Sequence, residues 1–454
     1  METGNAKAPT KEELFDVVII GGGPGGSTAG AYLAMAGYRV LIIEREKFPR
    51  FHIGESMLPF SNDIFKEIGV WPKLESGGFM PKLGAEFCTA NGSRFQRFWF
   101  ARGISPEYGQ TFQVERARFD QVLLDHAASL GCTVLEQAPA IELDLGEDEL
   151  VVTYECAEGV STAKCRWVLD ATGRDTFVGK KLGMRRVPTQ ADRRIATYAH
   201  FRGVFRNEGD AAGHITIVRL PGGWFWFIPL DAEKTSVGYV QRVDDLRKTG
   251  RKPEESFDFV TQNYKELYTR LREAERLGEV HTTGDYSYRH EQFSPHARVL
   301  FVGDAAGFTD PIFSSGVMMA LKSARLAARL IGETDRGGGS GLSPRQQRYY
   351  TRQVNRMMMV YIKMITAFYD NPSFELFMHP APVMKIPSAI VAIVGGATEL
   401  PFRLWWRMKV FYLLCSLQKR FGIAPRIDFQ AEESPREPIR NPMQDSATSM
   451  TRNK

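Results

Sequence analysis

The sequence predicts an α/β protein that combines a Rossmann-like nucleotide-binding domain, an inserted antiparallel β-sheet and a helical C-terminal region. Three observations carry this prediction. Residues 16–44 run from an apolar strand through a glycine-rich turn and a helix to a second apolar strand. Residues 195–245 contain β-rich runs separated by turn signals. A glycine cluster at 337–341, which no strand precedes, then leads into a helix-compatible stretch.

The first 44 residues contain the most informative motif. The turn after residues 16–20 has the spacing GxGxxG through Gly21, Gly23 and Gly26. Glycines let the backbone approach a pyrophosphate, and the N-terminus of the following helix supplies unpaired N–H groups and a positive dipole end. Glu44 ends the second strand, where a carboxylate can accept a hydrogen bond from a ribose hydroxyl. The motif predicts a dinucleotide site, but it does not choose between NAD and FAD.

Composition limits the possible function classes. The 454 residues are 43% hydrophobic and 24% charged, as expected for a globular protein of two or three domains. A net charge of +5 is small and dispersed, which argues against a nucleic-acid partner. Five cysteines form no CxxC pair, so we expect no metal site, and with no signal peptide they indicate the cytoplasm. The polar segments 1–13 and 431–454 are predicted to be disordered.

Three later segments resemble the flavin motifs of glutathione-reductase-like and hydroxybenzoate-hydroxylase-like flavoproteins. Residues 167–173 and 299–307 each run from an apolar strand into a glycine turn, and residues 114–120 open a helix. The resemblance implies that the cofactor is FAD. It also implies that Arg116 contacts the flavin nucleotide and that Asp304 binds the ribityl or pyrophosphate region.

The order of these motifs predicts the domain organisation. The FAD-binding domain should span residues 14–335 discontinuously, with substrate β-sheet segments inserted near 83–114 and 181–285. A helical region should follow at 336–430. Within it, the aromatic and basic residues 402–414 fit either a membrane-surface helix or a helix that packs on the substrate domain, and we favour packing. No membrane span is expected.

Residues 224–229 read Trp-Phe-Trp-Phe-Ile-Pro. Strand alternation places Trp224 and Trp226 on one face, and such a stripe is usually core packing. Here, however, Trp224, Trp226, Ile228 and Pro229 match the WxWxIP signature of the flavin-dependent halogenases, a family that this chain resembles. In that family the tryptophans separate the flavin from the organic substrate. The resemblance therefore implies that these four residues form a wall.

A second segment, residues 51–59, resembles the strap that runs over the flavin in these enzymes. It implies cofactor contacts by Ile53, Gly54, Glu55 and Ser56.

Two more segments carry the same resemblance. Residues 78–87 resemble the stretch that holds the family's essential lysine, which makes Lys82 the catalytic candidate. Residues 308–316 fit the family pattern FxxPxxSxG. Because this turn opens a helix, the amides of Ser315 and Gly316 are suited to hold a halide.

The resemblance implies a reaction. Reduced FAD and O2 oxidise chloride or bromide to hypohalous acid, and Lys82 then orients this acid or becomes halogenated on its nitrogen before it delivers the halogen to an electron-rich aromatic carbon. Two alternatives remain open: a single-component FAD aromatic monooxygenase, which has no need of Lys82, and a geranylgeranyl-reductase-like flavoenzyme.

One departure from the family narrows the substrate. Tryptophan halogenases carry a Glu at the position of Phe313, where it assists substitution on an indole. The substrate is therefore expected to be a phenol or pyrrole, often held as a thioester on an acyl or peptidyl carrier protein. The base that removes the ring proton is unassigned, and Glu86, Tyr198 and His200 are only weak candidates.

No second dinucleotide fingerprint follows Glu44. A nicotinamide cofactor therefore has no evident binding site, and a separate flavin reductase is the expected source of reduced flavin.

Overall fold

We describe the fold from a computed structural model of the chain. The structure describes residues 14–190, 192–284, 287–380 and 383–429. The disorder predicted for residues 1–13 and 431–454 lies outside the described residues.

The strands form four sheets. They are β1 (Leu14–Ile20), β2 (Val40–Ile43), β3 (Met80–Lys82), β4 (Gly84–Thr89), β5 (Phe95–Trp99), β6 (Thr111–Gln113), β7 (Thr133–Leu135), β8 (Ala140–Leu145), β9 (Leu150–Cys156), β10 (Gly159–Asp170), β11 (Arg186–Pro188), β12 (Arg194–Arg202), β13 (Ile215–Arg219), β14 (Gly223–Pro229), β15 (Lys234–Arg242), β16 (Glu275–Gly284), β17 (Tyr288–His290), β18 (Val299–Phe301) and β19 (Gly307–Phe308).

The helices pack against the nucleotide-binding sheet and make up most of the C-terminal region. They are α1 (Pro24–Met35), α2 (Asn62–Glu67), α3 (Trp71–Glu75), α4 (Arg116–Ser129), α5 (Phe177–Lys181), α6 (Val243–Thr249), α7 (Pro253–Asn263), α8 (Lys265–Leu271), α9 (Ser315–Arg336), α10 (Pro344–Tyr369), α11 (Asn371–Met378), α12 (Ile386–Val394) and α13 (Phe402–Phe421).

The first sheet is the Rossmann-like part of the fold. Its strand order is β7-β2-β1-β10-β9-β8, with β18 also paired to β10. The pairs among β7, β2, β1, β10 and β18 are parallel, so their carboxyl ends share one edge. Strands β2 and β18 are apolar and buried along their whole length. The predicted fold class is confirmed.

The second large sheet has the strand order β16-β12-β15-β14-β13-β4-β5, and all its pairs are antiparallel except β13 with β4. Its strands come from residues 84–99, 194–242 and 275–284. One face packs against the C-terminal helices and the other packs against α7 and α8. Because strand residues alternate, Trp224 and Trp226 face the first core while Phe225 and Phe227 face the second.

The C-terminal helices join the two sheets. Tyr350 and Val354 of α10 lie in the core of the nucleotide-binding sheet, whereas Tyr361 and Phe368, further along the same helix, lie in the core beneath the second sheet. Helix α13 buries Leu404, Met408, Phe411 and Cys415 in the same core as Trp224 and Trp226. No helix among the described residues is long and apolar enough to cross a bilayer.

Candidate active site

A cavity of about 730 Å³ lies where the carboxyl ends of β1, β10 and β18 face strand β14. Most residues singled out from the sequence line it: Gly21, Gly23, Glu44, Ile53, Gly54, Glu55, Ser56, Arg116, Trp224, Trp226, Ile228, Asp304 and Gly316. Four others, Gly26, Lys82, Pro229 and Ser315, are not part of its lining.

The glycine turn is built for close approach of the backbone. Gly21 has φ +107°, and a Cβ there would lie 2.4 Å from the carbonyl oxygen of Ala171. Gly26 has a packing role instead, because its Cβ would lie 1.9 Å from the carbonyl oxygen of Gly21. Helix α1 has no side-chain cap and no acidic residue in its first turn. Its N-terminal amides therefore fit the pyrophosphate of FAD.

Three charged side chains complete the nucleotide side of the cavity. The Glu44 carboxylate accepts from the backbone N–H of Gly22 at 2.6 Å, which fixes it at the end of β2. Arg116 donates to both carboxylate oxygens of Asp120 at 2.7 and 2.8 Å. Burial raises the pKa of Asp304 to about 6, although Arg174 and Arg116 oppose the shift. The positions of Glu44, Arg116 and Asp304 fit FAD.

The strap predicted over the cofactor lines the cavity through residues 51–56, which include Ile53, Gly54, Glu55 and Ser56. The Nη1 of Arg116 donates to the carbonyl oxygen of Ile53 at 2.7 Å, so the helix that holds the arginine also holds the strap. Glu55 lies 2.7 Å from Nε2 of His200 through one carboxylate oxygen. Its other oxygen is buried and has no partner among the described residues.

The aromatic stripe of β14 lines the cavity with Trp224, Trp226 and Ile228. The two indole rings lie 5.8 Å apart and are tilted by 49°. The expectation that Pro229 belongs to the same wall is corrected. Pro229 lies on the opposite face of the strand, beside a small cleft that Arg206 also lines, because adjacent strand residues point to opposite sides.

The predicted halide turn lies at the N-terminus of α9. The carboxylate of Asp310 accepts from the backbone N–H of Ile312 at 3.0 Å, and Ser314 is left-handed with φ +55°. The helix then begins at Ser315, with no acidic residue in its first turn. Gly316 lines the cavity. This arrangement suits an anion, because no carboxylate in the first turn of α9 competes for the amides of Ser315 and Gly316.

Lys82 lies behind the cavity, not in its lining. It is 1% exposed, and its Nζ donates to Ser56 Oγ and to the carbonyl oxygen of Met57, both at 2.8 Å. Burial alone lowers the pKa of this amine to about 7. Ser56 lines the cavity, so a single hydrogen bond connects the amine to the cavity. The sequence predicted the residue, and the structure adds its burial and its contact with the strap.

The comparisons with known proteins agree with this geometry. The FAD binding domain family matches residues 14–346. The chain is 32% identical over 379 residues to a 1H-pyrrole-2-carbonyl-(peptidyl-carrier protein) chlorinase of Pseudomonas fluorescens, a match that covers 78% of this chain and 83% of that relative. The chain belongs to the flavin-dependent halogenases. The halogenase is therefore an FAD-dependent oxidoreductase that uses a halide.

Solved structures show the same fold. A flavoprotein/dehydrogenase from Cytophaga hutchinsonii superposes on the halogenase with a TM-score of 0.81 at 28% identity, covering 90% of this chain and 98% of that one. A flavin-dependent brominase superposes with a TM-score of 0.79 at 26% identity, and the match covers 90% of this chain and 100% of the brominase.

One residue of the site was missed by the sequence analysis. Tyr369, the last residue of α10, accepts from Nε1 of Trp224 at 2.8 Å and donates to a carboxylate oxygen of Asp310 at 3.0 Å. One phenol thus joins the tryptophan stripe to the halide turn of the halogenase. No local pattern marks Tyr369, because its partners lie 145 and 59 residues away.

A second missed feature is Gly238, which faces Trp226 across β14 and β15. A Cβ at Gly238 would lie 2.1 Å from the indole ring, so only glycine leaves room for this tryptophan.

The weak candidates for a ring base stand apart from Lys82. Glu86 is wholly buried, but it pairs with Arg97 and with Arg270. Tyr198 lines the cavity beside Trp226, with the two rings 5.8 Å apart. His200 pairs with Glu55 of the strap. None of these contacts includes the Lys82 amine, so the base of the halogenase stays unassigned.

Proposed function

We propose that this halogenase transfers chlorine or bromine to a pyrrole or phenol ring that arrives as a thioester on an acyl or peptidyl carrier protein. Lys82 is the observation that carries the proposal. Its amine is buried, has no carboxylate partner among the described residues, and has a pKa lowered to about 7. A substantial fraction of such an amine is unprotonated at neutral pH, which an exposed lysine does not offer. The named chlorinase of carrier-bound pyrrole supports the substrate class.

Reduced FAD, when bound, supplies the reduction of O2 that converts the halide to hypohalous acid. In our proposal the amides of Ser315 and Gly316 hold the halide at the start of α9. Trp224 and Trp226 line the cavity on the side of strand β14. In our proposal they keep the substrate ring away from the flavin. The ring can then meet only the halogen that has passed the tryptophans.

Lys82 performs the transfer in two balanced steps. Its neutral nitrogen takes the halogen from hypohalous acid, and the hydroxyl leaves as water with one N–H proton. The N–X bond then breaks as the ring carbon takes the halogen, and the ring proton returns to the nitrogen. Ser56 and the carbonyl of Met57 accept from the amine and fix its direction before the first step.

The environment of Phe313 favours a substrate with an electron-rich ring. Phe313 is 3% exposed and lies among Phe87, Phe368 and Phe377, with ring separations of 6.0–6.2 Å. An apolar side chain here cannot assist substitution on an indole as the Glu of tryptophan halogenases does. We therefore expect pyrroles and phenols to be accepted and free tryptophan to be rejected.

The deciding experiment is mass spectrometry of a panel of pyrroles and phenols, free and carrier-bound, with FAD, a flavin reductase, O2 and chloride or bromide. A product heavier by one halogen and lighter by one hydrogen on a pyrrole or phenol is the expected result. An added oxygen atom would overturn the proposal and favour a monooxygenase.

The separate flavin reductase is tested by omission. Purified halogenase with FAD, halide, substrate and NADH should make product only after a reductase or chemically reduced flavin is added. Rapid anaerobic bleaching of the flavin band by NADH or NADPH alone, in the presence of substrate, would show that no reductase is needed.

A further inference from the structure

Helix α10 carries a row of cations that the active site does not use. The helix is 26 residues long and contains no aspartate or glutamate. Its charged residues are all basic and all exposed: Arg345, Arg348, Arg352, Arg356 and Lys363. Their spacings of three, four and seven place them on one face. The row spans about 27 Å along the helix axis.

These cations, which we call the α10 basic row, are free of partners. Among the described residues, none of the five makes a salt bridge or a side-chain hydrogen bond. Other exposed cations do form ion pairs, as Arg276 does with Glu254 and Asp258. Five like charges on one helix face repel one another, and no carboxylate of the described residues compensates them, so a partner of opposite charge would relieve this repulsion.

Helix α13 offers an instructive contrast. It also contains five cations and no acidic residue, yet Lys419 pairs with Asp370, and Arg403 and Arg407 donate to backbone carbonyls. Large apolar side chains such as Phe402 and Phe421 are exposed between its charges. That mixture suits a membrane surface. The exposed face of α10 has only Tyr349 and Met359 as large apolar residues, so it favours an acidic macromolecule over lipid.

The opposite face of α10 reaches the active site. It packs on both cores, and its last residue, Tyr369, contacts Trp224 and Asp310. A partner bound along the α10 basic row would therefore lie on the helix that ends at the tryptophan stripe and the halide turn.

We propose that the α10 basic row is the docking surface for an acidic carrier protein that brings the thioester substrate. The inference rests on the proposed function, since it assumes a carrier-bound ring. Complementary charge on facing surfaces accelerates association and fixes orientation, and its contribution falls as salt rises. Docking should therefore depend on the row, whereas the chemistry at Lys82 should not.

The test uses full-length halogenase in which Arg348→Glu, Arg352→Glu and Arg356→Glu are combined. The matched control combines Arg247→Glu, Lys248→Glu and Arg272→Glu, which reverses three exposed cations on other elements. The probes are pyrrole-2-carbonyl thioesters of a peptidyl carrier protein and of free pantetheine. We expect the α10 variant to bind the carrier at least about tenfold more weakly and with a flatter salt dependence. Turnover of the pantetheine thioester should stay unchanged in both variants.

Each outcome decides a different question. Equal carrier affinity in the wild type and the α10 variant overturns the inference. Weaker affinity in the control variant as well does the same, because only net charge would then matter. Anionic vesicles of phosphatidylcholine and phosphatidylserine that bind the wild type but not the α10 variant would assign the row to a membrane. If the wild type binds the carrier through the row but never halogenates its thioester, the proposed function fails and the docking surface stands.

Discussion

Two lysines of this halogenase are almost wholly buried, and they differ in what surrounds the amine. Lys82 on β3 donates to Ser56 Oγ at 2.8 Å, and Lys322 on α9 donates to Thr398 Oγ1 at 2.7 Å. Burial lowers the pKa of both, to about 7 for Lys82 and about 8 for Lys322. A buried lysine with a hydroxyl partner is therefore not by itself a mark of catalysis.

The differences are the counter-charge and the access. The carboxylates of Glu399 and Asp63 raise the pKa of Lys322 against the effect of burial. For Lys82, burial is the sole cause of the lowered pKa, and no carboxylate helps the amine to hold its proton. Its hydroxyl partner, Ser56, also lines the cavity, whereas Thr398 does not. Lys82 is therefore the better candidate for catalysis, because no carboxylate compensates its charge and its hydrogen-bond partner Ser56 lines the cofactor cavity.

Replacing each lysine by alanine should give the largest difference in halogenation activity between the two positions. We expect Lys82→Ala to lower halogenation by at least about a hundredfold while FAD binding persists, because Lys82 does not line the cavity. Product mass spectrometry and the flavin absorbance retained after gel filtration measure the two effects. The matched Lys322→Ala should keep activity within about twofold. Halogenated product from the Lys82→Ala protein would remove this lysine from the mechanism.

Lys82→Arg asks whether charge alone suffices. A guanidinium stays protonated and offers no free amine, so we expect activity close to that of the alanine variant. Lys322→Arg should again be nearly silent. Activity near the wild-type level in Lys82→Arg would show that a cationic hydrogen-bond donor is enough, and that the halogen never bonds to nitrogen.

The pH dependence of halogen transfer should reflect the ionisation of Lys82 and should not depend on Lys322. Because the pKa of Lys82 is lowered to about 7, the neutral amine is the minor form below that pH and the major form above it. With hypochlorous acid and substrate supplied directly to the FAD-loaded protein, the product rate per unit of un-ionised hypochlorous acid should rise through about pH 7 and then level off. A rate that falls over the same range would mean that the ammonium ion is the active form.

Stability should show the smallest effect, and its sign can be worked out. The folded pKa of Lys82 lies below the unfolded value, so the unfolded chain binds the proton more readily and burial destabilises the fold below about pH 10. Lys82→Met should therefore raise the unfolding free energy by roughly 1–3 kcal/mol at pH 6, with less gain as pH rises. Lys322→Met should gain less, since two carboxylates already compensate its charge.

Thermal unfolding of both methionine variants from pH 6 upwards would check that Lys82→Met gains more stability than Lys322→Met. A larger gain for Lys322→Met would reverse our assignment of the less compensated lysine. A gain for Lys82→Met that grows with pH would show that Lys82 keeps its proton in the fold.

The sequence by itself determined the parts of this protein that depend on neighbours along the chain. The glycine turn at Gly21 to Gly26 works through adjacent backbone amides and a helix that follows at once, so its spacing is visible in one dimension. The Trp224–Pro229 stripe is likewise a local strand pattern. Alternation within it also decides that Pro229 faces away, although the family signature includes that residue.

Tertiary structure alone decided the environment of each reactive group. The pKa of Lys82 depends on how completely the surrounding chain excludes water, and its partner Ser56 lies 26 residues away. The phenol of Tyr369 meets Trp224 only because α10 folds back over the second sheet. The α10 basic row is periodic in the sequence, but only packing shows which side of the helix is solvated and that no described carboxylate neutralises it. Solvation and long-range contacts depend on the whole fold, and no short segment contains them.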